Sequence, residues 1–176
     1  FKRLTIEDGL SQGSIQAIHQ DYRGFMWFGT TNGLNRWNGY QFELFYHEAG
    51  NSRSISNNRI ITIFEDHKQR LWILTSDGIL NRYIHESGEF ARVELGFRSR
   101  MFMNNFRNIG IDPSGTIWIA SIHDGFFSYN PDTGSIKRYY KEMDPENRYK
   151  KNGVKITQFR IGRNNRIWIG TNAGLI

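Results

Sequence analysis

The chain has 176 residues, 38% hydrophobic and 15% aromatic, which is enough to build a sizeable core and excludes a disordered segment. It has no cysteine, which excludes disulfides, thiolate metal sites and a cysteine nucleophile. The net charge of +6 is uneven: residues 1–90 hold 9 Lys and Arg against 10 Asp and Glu, and residues 91–176 hold 14 against 7. No run approaches the roughly 18 apolar residues of a membrane helix. No secretory leader is read, so the targeting segment of an exported protein is expected outside this sequence.

In chain order, Phe1–Thr5 reads as a strand without a sheet of its own. Ser14–Gln20, Phe25–Thr30, Gly33–Trp37 and Gln41–His47 then form a first set of four strand-like runs. Arg59–Glu65, Leu71–Thr75, Ile79–Ile84 and Phe90–Leu95 repeat the pattern, as do Phe106–Ile111, Thr116–Ser121, Gly125–Tyr129 and Ser135–Tyr140. A last unit offers Lys155–Gly162, Arg166–Thr171 and Gly174–Ile176. Turn formers such as Asn38-Gly39, Ser87-Gly88 and Pro113-Ser114-Gly115 separate the runs, and no helical period appears.

The runs are in phase. Trp27, Trp72, Trp118 and Trp168 follow one another at steps of 45, 46 and 50 residues, a period that marks a repeat architecture. Six residues before each Trp stand Asp21, Asp66 and Asp112, with Gly162 the exception; six after stand Gly33, Gly78 and Gly174, with Gly125 one later. An aspartate there can accept backbone hydrogen bonds from the turn, and the glycine before the third strand supplies a positive φ or a close backbone approach. Units of four short antiparallel strands at this period predict an all-β chain, a β-propeller of stacked blades. The units are expected at about 9–54, 55–100, 101–150 and 151–176, one propeller region over 1–176 with three complete blades. The fourth is incomplete, and residues 1–5 are expected as its closing strand. All four tryptophans are expected in the apolar seams between blades.

The phrase Asp-x-x-Gly-x-x-Trp-x-Gly-Thr-x-x-Gly-Leu from Asp21 to Leu34 closely resembles the two-component regulator propeller repeat. The opening Leu4-Thr5-Ile6-Glu7-Asp8-Gly9-Leu10-Ser11 resembles the start of the sensor region in hybrid two-component system proteins. Leu74 and Ala120 stand where the pattern prefers glycine, and Arg70 replaces the residue before the apolar strand. The resemblance implies the N-terminal part of a periplasmic sensor. That sensor would respond to breakdown products of polysaccharides and relay the signal to a histidine kinase elsewhere in the full-length protein, ahead of a phosphorelay and transcription regulation. It also implies that remaining blades, kinase modules and the membrane are met only through the rest of that protein.

No catalytic constellation is read, and neither a metal site nor a cofactor is expected: the histidines share no repeat position, and no zinc, nucleophile-elbow or phosphate-loop motif occurs. A binding function then falls to loops. The connections between second and third strands and those between blades share one face of a propeller, which nominates Asn32, Asp77, His123, Asp124 and Asn172. Tyr46, Phe102 and Tyr149 are neighbouring rings on which a sugar can stack. The basic stretch around Lys150 and Lys151 suits an anionic oligosaccharide or a neighbouring domain. A homodimer is expected, because open blade flanks leave apolar faces unpaired, and no direct nucleic-acid contact is expected. A structural or protein-interaction propeller is the alternative; a carbohydrate-active enzyme is the third reading.

Overall fold

The computed structural model describes residues 3–96, 106–121, 125–139 and 156–175. A first sheet contains β1 (Ile15–Gln20), β2 (Met26–Thr30), β3 (Leu34–Trp37) and β4 (Phe42–Phe45). The second contains β5 (Ile60–Glu65), β6 (Leu71–Thr75), β7 (Ile79–Ile84) and β8 (Glu89–Glu94). The third comprises β9 (Phe106–Ile111), β10 (Ile117–Ser121), β11 (Gly125–Tyr129) and β12 (Ile136–Arg138). The last has three strands among the described residues, β13 (Ile156–Ile161), β14 (Ile167–Thr171) and β15 (Gly174–Leu175). Each sheet is an antiparallel meander in chain order, the blade of a β-propeller. The chain divides into two units, Phe1–Glu94 and Leu95–Ile176, each holding two blades.

The repeated aspartate builds the first hairpin of a blade. Asp21 Oδ1 accepts from the backbone N–H of Arg23 and of Phe25, both at 3.0 Å, and its Oδ2 accepts from the indole Nε1 of Trp27 at 2.7 Å. Asp66 does the same for Lys68, Arg70 and Trp72, and Asp112 for Ser114, Thr116 and Trp118. One carboxylate thus shapes the turn and pins the ring six residues on. The departure at Arg70 adds to this clamp, since its Nε donates to Asp66 Oδ2 at 2.5 Å.

The turn also needs a left-handed residue three places after the aspartate, filled by Gly24 (φ 88°) and Gly115 (φ 82°) but by Gln69 (φ 61°) in the second blade. A side chain in that region costs about 1 kcal/mol. Gln69→Gly is therefore expected to stabilise the first unit by about that amount, read as a higher urea midpoint at unchanged slope.

In the first unit the seam between blades is made by Trp27, Leu34 and Phe45 of the first sheet against Ile60, Ile63, Leu71, Ile73, Tyr83 and Phe90 of the second. Trp27 is stacked on Phe45 at 5.6 Å and meets Tyr83 edge-on at 4.9 Å. Gly29 is small for packing reasons: a Cβ there would stand 2.4 Å from Ile60 Cγ2. In the second unit Phe126, Trp118 and Ala120 pack against Ile156, Phe159 and Ile169, with Phe126 and Phe159 edge-on at 4.9 Å.

Two expectations need correction. Arg3–Thr5 carries no strand: Thr5 caps a short 3-10 turn, Ile6–Asp8, through a reciprocal bond with Asp8, while Phe1 and Lys2 lie outside the described residues. Trp168 is not a buried seam residue but 49% exposed, whereas Trp27 and Trp72 are at most 1% exposed. The physical reason lies in the packing order. Within each unit the indole of one blade is covered by the next, Trp27 by the second sheet and Trp118 by the fourth. No described sheet follows the one that carries Trp168, and Gly162 cannot supply the carboxylate that holds the other three indoles.

Candidate functional site

The candidate loops of the first unit do gather at one end. Gly33 N–H donates to Asn58 O at 2.7 Å and Ser76 N–H to Arg59 O at 3.0 Å, so both loops between second and third strands join the connection between blades. Gly33 (φ 118°), Gly78 (φ 79°), Gly125 (φ 92°) and Gly174 (φ 127°) all take the left-handed region expected of the glycine before the third strand. Asn32 is exposed beside a ring: Tyr46 lies over Gly33 so closely that a Cβ on that glycine would stand 2.8 Å from its Cε1. Arg92 secures the connecting segment from behind, donating to the carbonyls of Asn51 and Ser54 at 2.8 and 2.7 Å.

The polar residues around these loops differ in how far their own fold uses them. Asp77 Oδ1 accepts from Thr75 Oγ1 at 2.6 Å, from Ser56 Oγ at 3.3 Å and from the N–H of Ile79 at 3.3 Å, so it shapes its own turn. Beneath the loops runs a buried network that the sequence reading missed. Asn35 and Asn81 accept from the N–H of Ser11 and Ser56, at 2.8 and 2.9 Å, and donate back to their hydroxyls. Thr30 and Thr75 complete it. The Ser at Trp−16, the Thr at Trp+3 and the Asn eight or nine after the Trp were the signal available. Asn172 is exposed on the turn before β15. Phe102, His123, Asp124, Tyr149, Lys150 and Lys151 lie outside the described residues.

A second polar cluster sits at the hairpin-turn end of the first unit. His19 Nε2 is 3.7 Å from Glu65 Oε2, and Tyr22 N–H donates to Glu65 Oε1 at 3.1 Å. Tyr22 and Tyr83 both meet the His85 ring edge-on, at 5.5 and 5.0 Å. Both His85 ring nitrogens are shut off from solvent and have no hydrogen-bond partner among the described residues. Burial holds its imidazole below the usual histidine range; Arg23 and Arg36 act the same way, against Asp21 and Glu86.

The sign of the pH effect follows. Unfolded, His85 takes its proton near 6.5; folded, it does so only at lower pH. Its contribution to stability is full above that value and is lost as pH falls below it. His85→Phe keeps the edge-on rings and is expected to flatten the decline between neutral pH and about pH 5, measured by urea unfolding. An unchanged decline would place its origin elsewhere.

Among the described residues, no helix is long and apolar enough to cross a membrane, and no cluster of His, Asp and Glu is arranged to hold a metal ion. The pattern of the family described as two component regulator propeller matches residues 9–32 and 54–77, the stretches that carry the Asp21–Trp27 and Asp66–Trp72 clamps. Over 56 residues the chain is 45% identical to histidine kinase P4 of Formosa agariphila, which is 32% of this chain and 4% of that protein. The extracellular domain of a hybrid two-component system of B. thetaiotaomicron matches with a TM-score of 0.71 at 24% identity, over 99% of this chain and 30% of that one. Virginiamycin B lyase of Staphylococcus aureus matches at 0.60 and 14% identity, over 93% and 54%. These two likenesses speak for the propeller fold alone. The chain spans less than a third of the two-component proteins it matches.

Proposed function

We propose that the chain, which matches the two-component regulator propeller pattern at residues 9–32 and 54–77, is part of the extracytoplasmic, periplasmic sensor of a two-component signalling protein. The observation that carries this reading is the coincidence of both family matches with the clamp hairpins of the first two blades. In this reading the chain takes no part in catalysis; phosphoryl transfer belongs to a histidine kinase in sequence beyond it. The ligand is an oligosaccharide released from a polymer, met by exposed Asn32, by Asn57 and Ser76 beside it, and by the Tyr46 ring, with Lys150 and Lys151 favouring an anionic sugar. The signal is differential affinity: ligand favours one of two sensor arrangements, and the kinase responds to the shift.

Calorimetry of this chain against glycans selected on an array tests the proposal. Saturable binding without product release, weakened about tenfold or more by Tyr46→Ala, is expected. Absence of binding across the array would favour a scaffold instead, a reading that already draws on Asp77, whose Oδ1 serves the turn and not a ligand. Release of shortened glycan would point to an enzyme.

A further inference from the structure

We infer that Asn38 is a site of spontaneous, backbone-assisted deamidation, and that the fold protects the same dipeptide at Asn32-Gly33 from that reaction. The chemistry is intramolecular and needs no ligand. The Gly39 backbone nitrogen gives its proton to hydroxide and attacks Cγ of the Asn38 side-chain amide. The Cγ–N bond of that amide then breaks, ammonia leaves with a proton from water, and a cyclic imide remains. Water opens the imide at one carbonyl or the other, giving aspartate or isoaspartate at position 38. Nothing is oxidised or reduced, and water is the one co-reactant.

The Asn-Gly pair occurs at Asn38-Gly39, at Asn32-Gly33 and at Asn152-Gly153, the last outside the described residues. Asn38 and Gly39 are exposed in the turn between β3 and β4. Gly39 takes φ 99°, and a Cβ there would meet nothing within 4 Å, so the space around its nitrogen is open. Its N–H has no hydrogen-bond partner among the described residues, so no bond must break before the proton is lost. The electrophile is prepared as well. Asn38 Oδ1 accepts from the N–H groups of Tyr40 and Gln41, both at 2.9 Å. Negative charge develops on that oxygen as the nitrogen adds to Cγ, and donors already aimed at it stabilise the charge without rearrangement. At Asn32 the nucleophile is masked. Gly33 is buried under the Tyr46 ring, and its N–H donates to Asn58 O at 2.7 Å. Either product at position 38 puts a negative charge in the turn. Isoaspartate also adds a methylene to the backbone beside the Trp37–Phe42 pair, whose rings meet at 4.6 Å.

Incubation of the folded 176-residue chain at mildly alkaline pH, followed by tryptic mapping with mass spectrometry, tests this. Cleavage after Arg23, Arg36 and Arg53 places Asn32 and Asn38 in different peptides. Asn38 is expected to convert about tenfold or more faster than Asn32, with both aspartate and isoaspartate formed. In guanidinium chloride the bond to Gly33 is lost, and the two rates are expected to converge. Equal rates in the folded chain overturn the inference. So does a preference for Asn38 that persists in denaturant, which would assign it to neighbouring sequence and not to the fold. Aspartate without isoaspartate would mean direct hydrolysis of the side chain, and overturns it too.

Discussion

Replacing Asp66 with alanine is expected to destabilise the first unit by about 3–5 kcal/mol, more than the same change at Asp21. Asp66 receives four donors: the N–H groups of Lys68 and Arg70, the indole of Trp72 and the guanidinium of Arg70. Burial alone pushes its carboxyl up, yet the bonds from Trp72 and from Arg70 and Lys68 outweigh it and hold the group below the usual carboxylate value of 3.8. Its contribution is accordingly present above 3.8 and lost as pH falls through the lower folded value. Truncation removes the Asp66 carboxylate from a buried indole N–H and a largely buried guanidinium, and the lost bonds are where the cost arises. Asp21 lacks a counterpart of the Arg70 bond, so Asp21→Ala should cost less. Urea unfolding of both variants gives the order; equal effects would deny Arg70 its role.

The second large effect is expected at Trp27. Its ring is fully buried, stacked on Phe45, edge-on to Tyr83, and faces the Arg36 guanidinium at 5.7 Å. Arg36 also bonds Tyr83 Oη at 3.1 Å and pairs with Glu43, so the cation ties the first blade to the second across the aromatic seam. Trp27→Ala should cost about 3–5 kcal/mol, with Trp27→Phe costing less because an aromatic ring stays in the seam, although the smaller ring leaves a gap and the bond to Asp21 is lost. Trp168→Ala, at the same repeat position, should cost about 1 kcal/mol or less, since that indole is half exposed. Comparable losses at the two positions would contradict the described packing order.

The contrast between those tryptophans shows what the sequence could and could not convey. The recurrence of aspartate, tryptophan and glycine announces the hairpin, because one carboxylate must face both turn amides and the indole, and strand ends fell within one or two residues of those read. Whether an indole is covered depends on the sheet that follows it, which its own repeat does not encode, so Trp168 was misplaced. The Asn32 and Ser76-Asp77 loops were found at one end because the repeat fixes where the chain turns. The opposite cluster of His19, Glu65 and His85 was invisible, since its members occupy non-equivalent positions in two repeats and meet only when the blades stack. Arg70 looked like drift and proves to be an added partner for Asp66.

Indole proton exchange, measured by NMR on the 176-residue chain labelled at tryptophan nitrogen, tests most directly whether a carboxylate pins each seam indole. The Nε1 protons of Trp27, Trp72 and Trp118, each bonded to an aspartate, should exchange slowly, and that of Trp168 rapidly. Exchange at Trp27 or Trp72 as fast as at Trp168 would contradict the account.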